Sequence, residues 1–342
     1  MELNVRGRRV LVDGAPALSP HQVGLVHRLL EDGADVTVAA DWVPTAVRDL
    51  SERGLITCVT PAAFPNDRAE DGFDVVLRPH RLEPAPDPDQ PAPEAQPGGA
   101  GRVVLVGGGP GDPGLLTVAG LAALREADVV VYDRLAPLSR LDDAPSGATL
   151  IDVGKIPRGE FTDQERINRV LIEHAQQGRT VVRFKGGDSF VFGRGGEEAQ
   201  ACAEAGIPVQ VIPGVSASIA APELAGISLT DRRVTQGFTV VSGHVAPDDP
   251  RSRLDWAALA RAGTTLVIVM GVAQLGAIAQ ALMEAGMDPL TPAATISDAG
   301  LPSMTSVRAP LEALPQAVTM AGIGAPAVTV IGGVVGLDLG LS

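Results

Sequence analysis

The sequence predicts an α/β protein in which a small open α/β domain precedes two larger α/β lobes. Three observations carry that expectation. Strand-like apolar runs alternate with helical periodicity along most of the 342 residues, one Pro-dense stretch interrupts the alternation, and glycine-rich turns recur at the ends of strand candidates. Hydrophobic residues make up 45% of the chain, enough at this length for substantial cores.

The first 80 residues read as a strand at 9–12, a helix at 20–32, a strand at 35–39, a helix at 45–53, and short strands at 56–59 and 74–77. That order predicts a small Rossmann-like domain with a parallel sheet. Its first turn, "VDGAPALSPHQ", has Gly14 alone where a pyrophosphate needs several glycines, and Pro16 and Pro20 stiffen it, so no NAD is expected at residues 1–80. Residues 81–100 carry a proline at nearly every second or third position and predict an extended linker. The alternation resumes with strands at 102–106, 127–132, 149–153, 180–184 and 209–212, and helices at 115–126, 163–177 and 196–205, which form a first lobe over 101–213. A second lobe, 214–342, has helices at 215–225, 254–262 and 273–285 and strands at 237–242, 265–270, 293–297 and 327–332. Consecutive lobes of this kind predict ligand binding at their boundary and beyond strand carboxyl ends.

Composition excludes several classes. A net charge of −14 argues against nucleic-acid partners, which need a concentrated basic face. Cys58 and Cys202 lack metal-ligand spacing, so no metal is expected. No run approaches about 18 apolar residues and "MELNVRGRRV" lacks a signal core, which predicts a cytoplasmic protein without membrane association. Lys155 and Lys185 are the sole lysines, and both stand beside glycine at strand ends.

In "VGGGPGDPGLLT" (106–117), Gly109, Gly111 and Gly114 match the G-x-G-x-x-G spacing, with Asp133 placed downstream as a dinucleotide site would have it. Pro110 and Pro113 weaken that reading, because each removes an N–H from a turn whose use would be to present N–H groups to phosphate. A ligand with a flat base and an uncharged or zwitterionic tail would lose less.

The longer context, "VVLVGGGPGDPGLLTVAGLAALREADVVVYDRL", "DVGK", "VVRFKGGDSFVFGRGGEE", "VIPGVSASIAAPELAGISLTDR", "VSGH", "TLVIVMGV" and "PAVTVIGGVV", resembles the tetrapyrrole methylases over residues 101 to about 335. Residues 1–80 more weakly resemble the start of a precorrin-2 dehydrogenase domain, truncated and without its glycine fingerprint. The resemblance implies the two-lobed methylase fold, S-adenosylmethionine as cofactor with S-adenosylhomocysteine as product, a tetrapyrrole substrate, uroporphyrinogen III, for sirohaem or cobalamin synthesis, and a homodimer. It implies a cofactor pocket of Pro110, Gly186, Gly187, Asp188, Val191, Ser216, Ala217, Met270 and Ala299. It further implies Asp133 as proton acceptor, Lys155 as proton donor, and Arg194 with Glu197 in substrate binding and loss of the ring proton. Arg183 and Arg232 are expected to meet substrate carboxylates.

Other readings of single residues stand beside these: Asp188 as a turn cap, Asp133 as a cap after its strand, Arg194 with Glu197 as a helix-start ion pair. Departures from the family pattern fall at Ser189 (proline is usual), Asp231 (histidine), Thr305 and Ser306 (Gln-Arg), Thr162 and Asp163 (Pro-Gln), and Ala299 (glycine). They leave open a methylase for another tetrapyrrole, and the degenerate first domain leaves open a catalytically reduced binding protein. A dehydrogenase ranks below these.

Overall fold

A computed structural model describes residues 5–14, 18–60, 73–77, 101–154 and 163–340. The expected linker at 81–100 and Lys155 lie outside the described residues. The chain divides into two compact units: the described residues up to Gly109 with Pro113–Gly214, and Pro110–Asp112 with the residues from Val215 onward.

The first unit begins with β1 (Arg9–Asp13), α1 (Pro20–Glu31), β2 (Asp35–Ala39), α2 (Thr45–Glu52), β3 (Thr57–Val59) and β4 (Val75–Leu77). Their strands pair in parallel in the order β3-β2-β1-β4. At the start of α1, Ser19 Oγ accepts from Gln22 N and Gln22 Oε1 accepts from Ser19 N, so this helix end is capped by its own side chains.

A second sheet of the same unit comprises β5 (Arg102–Gly107), β6 (Val129–Tyr132), β7 (Thr149–Asp152), β8 (Thr180–Lys185) and β9 (Val209–Ile212), in the order β7-β6-β8-β5-β9 and parallel throughout. With it go α3 (Val118–Arg125), α4 (Gln164–Gln176) and α5 (Gly195–Glu204). Val103 to Val106 are all buried, the continuous apolar run that a strand covered on both faces requires. The sequence set residues 1–80 apart as a domain. In the structure, Val23 and Val26 of α1 share one apolar cluster with Tyr132, Phe184, Leu138 and Leu141, the last two in a 3-10 stretch at Leu138–Asp143.

The second unit holds α6 (Ala217–Leu224), β10 (Phe238–Ser242), α7 (Trp256–Arg261), β11 (Thr265–Val269), α8 (Leu275–Glu284), β12 (Pro292–Ser297), β13 (Thr305–Pro310), α9 (Leu314–Met320) and β14 (Ala327–Ile331). Its sheet runs β10-β11-β14-β12-β13, with β10 and β11 parallel and the other pairs antiparallel. β13 and α9 are not anticipated by the sequence reading. The strand, "TSVRAP", is a half-exposed sheet edge without an apolar run, and the helix is seven residues long with a proline in its first turn.

His27 of α1 makes the first unit acid-sensitive. The residue as a whole is only partly covered, yet its Nε2 is sealed from solvent without a partner among the described residues. Burial, aided by Arg53 and opposed by Asp49, holds the ring down at about 4 from 6.5. The unfolded chain therefore takes the proton first: this contribution is complete above pH 6.5 and is lost as pH falls toward 4. The expected loss is on the order of 2–3 kcal/mol. Urea titrations at pH 7 and 4.5 should show it, and His27→Leu should flatten the dependence.

Candidate active site

β8 is central in its sheet, and strand periodicity puts Arg183 and Lys185 on the same face. Two cations buried on one strand face require an acid, and α5 supplies it. Glu198, with no solvent exposure, accepts from Lys185 Nζ through both oxygens at 2.9 Å and from Arg183 Nε at 3.1 Å. Gln164 Nε2 adds a bond to the same carboxylate at 3.3 Å. Burial, then the neighbouring Arg183 charge, pulls the Lys185 ammonium below its ordinary range, against the opposing charge of Glu198.

This cluster positions Asp133. The residue follows the last position of β6, its side chain 25% exposed, and its Oδ2 accepts from Arg183 Nη2 at 3.2 Å. Oδ1 accepts from Leu135 N at 3.1 Å and so closes a turn. Arg183, expected to meet a substrate carboxylate, is instead buried and committed to Glu198, Asp133 and the carbonyls of Val131 and Phe184. That corrects the expectation: Nε, Nη1 and Nη2 each already donate to a protein group.

Arg194 has a left-handed backbone, φ 59°, at the start of α5. Its Nε and Nη2 bond the two Glu197 oxygens at 2.8 and 2.7 Å on the exposed side of that helix. The pair is bidentate and open to solvent. Arg232 is exposed in the second unit.

The cofactor candidates fall into local groups. In the first unit, a Cβ on Gly186 would stand 2.3 Å from the Leu135 carbonyl oxygen, so only glycine fits there, and Gly187 has φ 67° while exchanging backbone bonds with Gly109. Asp188 takes the turn-holding role: Oδ1 accepts from Phe190 N and Val191 N, and Oδ2 from Gly214 N. It shapes the loop that leaves Val191 exposed. In the second unit, Pro110 lies against the Ala299–Gly300 turn, and Ala217 packs in the apolar cluster that contains Ala299. Ser216 caps α6, accepting from Ser218 N at 3.3 Å. Met270 is 48% exposed and left-handed, φ 57°, directly after β11. Phe192, Arg194 and Asp298 share this left-handed backbone among the described non-glycine residues. Pro110, at the first glycine turn, has no N–H to offer a pyrophosphate.

The departures from the family pattern are accommodated locally. Asp231 is not a bare negative charge, because Arg233 Nε and Nη2 bond it at 3.0 and 2.9 Å and hold its pKa down at about 2. Thr305 shares a hydroxyl contact with Ser297 at 2.9 Å. Ser189 is fully buried, and its hydroxyl has no partner among the described residues. Ser189→Ala is therefore expected to stabilise the protein by about 1 kcal/mol, read as a rise in Tm.

Glu198 and Lys185 are absent from the expected site. The signal for them was available: Arg183 and Lys185 stand two apart in a central strand, and Glu198 lies four residues before buried Cys202 on α5.

A fully parallel sheet carries an acid at a strand carboxyl end and glycine turns beyond it, the place where open α/β sheets bind small ligands. Residues 102–315 match the family described as Tetrapyrrole (Corrin/Porphyrin) Methylases, and the chain belongs to it. It is 42% identical over 240 residues to the S-adenosyl-L-methionine-dependent uroporphyrinogen III methyltransferase of Methanosarcina barkeri, covering 70% of this chain and 94% of that one. It is 47% identical over 242 residues to the siroheme synthase of Zymomonas mobilis, covering 71% of this chain and 50% of that protein, so it spans half the length of that relative. Among solved structures, the uroporphyrin-III C-methyl transferase of Thermus thermophilus complexed with S-adenyl homocysteine superposes with a TM-score of 0.60 at 39% identity, over 70% of this chain and all of that one.

Proposed function

We propose that the chain methylates uroporphyrinogen III at two pyrrole carbons to give precorrin-2, with S-adenosylmethionine as donor, in sirohaem or cobalamin synthesis. The observation that carries this reading is the extent of the match to the Methanosarcina barkeri methyltransferase, which covers 94% of that enzyme. S-adenosylmethionine supplies an electrophilic methyl on a sulfonium and leaves as S-adenosylhomocysteine. The residues proposed to hold it are Pro110, Gly186, Gly187, Asp188, Val191, Ser216, Ala217, Met270 and Ala299. Holding a pyrrole carbon against the sulfonium methyl would supply much of the acceleration. Asp133, held in place by Arg183, takes the ring proton, and Lys155 serves as proton donor. Arg194 binds a substrate carboxylate in exchange for Glu197, and Arg232 is a further carboxylate partner. The protein acts as a cytoplasmic homodimer in this reading.

Arg194→Leu tests it. Methyl transfer should vanish while S-adenosylhomocysteine affinity, read by calorimetry, stays near that of the unmodified protein. Equal loss of both would contradict the role given to Arg194. S-adenosylhomocysteine binding without turnover in the unmodified protein would favour a reduced binding protein.

A further inference from the structure

We infer that the small N-terminal sheet domain clamps the catalytic turn, with Asp49 as a positioning residue that acts through Arg134. The inference rests on the assignment of Asp133 above. Arg134 directly follows Asp133, and its Nη1 bonds Asp49 Oδ2 of α2 at 2.9 Å. The two side chains are 17% and 11% exposed, so this ion pair is largely shielded, unlike a surface pair. Arg53 Nη1 bonds the same Asp49 oxygen at 3.4 Å and fixes the carboxylate from its own helix.

Further contacts continue along the segment after Asp133. Ser139 Oγ donates to Glu31 Oε1 at 2.8 Å, and Asp142 is held by Arg28 and by His21 Nδ1, the latter at 3.1 Å, all three partners on α1. A Cβ on Gly24 of α1 would lie 3.0 Å from the Leu138 carbonyl oxygen, which marks a close backbone approach. Leu138 and Leu141 are buried in the cluster that contains Val23.

The clamped turn supports two parts of the site. It carries Asp133, and its Leu135 carbonyl is the atom that excludes any side chain at Gly186. A domain whose first turn lacks nucleotide-binding glycines thus keeps a use: it holds the turn that presents the proton acceptor and backs the Gly186 turn. Displacement of such a turn by about an ångström costs on the order of a hundredfold in rate.

The test uses the full chain with Asp49→Ala and the charge-swapped pair Asp49→Arg with Arg134→Asp. In Asp49→Ala, amide exchange of residues 134–141 should rise about tenfold while that of α4 stays unchanged. In the same variant kcat should fall roughly tenfold to a hundredfold with S-adenosylhomocysteine affinity unchanged, and the swapped pair should recover most of it. Unchanged exchange at 134–141, or slowed turnover that the swap fails to restore while both variants keep the parental Tm, would overturn the clamp. If the unmodified protein does not turn over uroporphyrinogen III, the functional reading fails, and the exchange measurement still decides the clamp.

Discussion

Glu198→Gln is expected to destabilise the protein by about 3–5 kcal/mol, the cost of leaving buried charges without their counter-ion. Lys185 Nζ would lose its two charged bonds of 2.9 Å, and Arg183 would keep only Asp133 as an anionic partner. The adjacent acid gives the control. Glu197 pairs with Arg194 where both side chains are about half exposed, and Glu197→Gln should change stability by no more than about 1 kcal/mol. Urea unfolding of the two variants at pH 7 compares them directly. Equal, small effects would mean that the β8 cations are satisfied by some other group.

Asp133→Asn should lower kcat by about 10²–10⁴-fold, the range for loss of a positioned general base. The amide oxygen can still accept from Leu135 N, so the turn should survive and the stability cost should stay below about 3 kcal/mol. S-adenosylhomocysteine affinity should be unchanged. A pre-steady-state assay separates the effect from product release: the loss must appear in the first turnover. A full first-turnover rate in the Asp133→Asn variant would remove Asp133 from the chemistry.

The strands and helices that were legible in the sequence share one property, an uninterrupted apolar run or a clear helical period, as in "VVLV" of β5 or "RINRVLIEHA" of α4. β13 was not legible because an edge strand needs neither. The antiparallel pairing of β12 and β14 was equally hidden, since a local pattern does not carry strand direction. At the site, the resemblance named Asp133, Arg194 and the glycine turns, and Arg183 was expected to meet a substrate carboxylate; its burial against Glu198 was not legible. A motif gives residue identity and order; which face of β8 Arg183 occupies depends on Glu198 reaching across from α5. The N-terminal contacts were invisible for the same reason, because Asp49 and Arg134 are 85 residues apart in sequence.

Methyl transfer to a tetrapyrrole carbon can be read directly. Purified protein incubated anaerobically with uroporphyrinogen III and S-adenosylmethionine labelled in its methyl group should yield a tetrapyrrole carrying two labelled methyls on carbon, with stoichiometric S-adenosylhomocysteine. Binding of S-adenosylhomocysteine in the same preparation with no label on the macrocycle would contradict it.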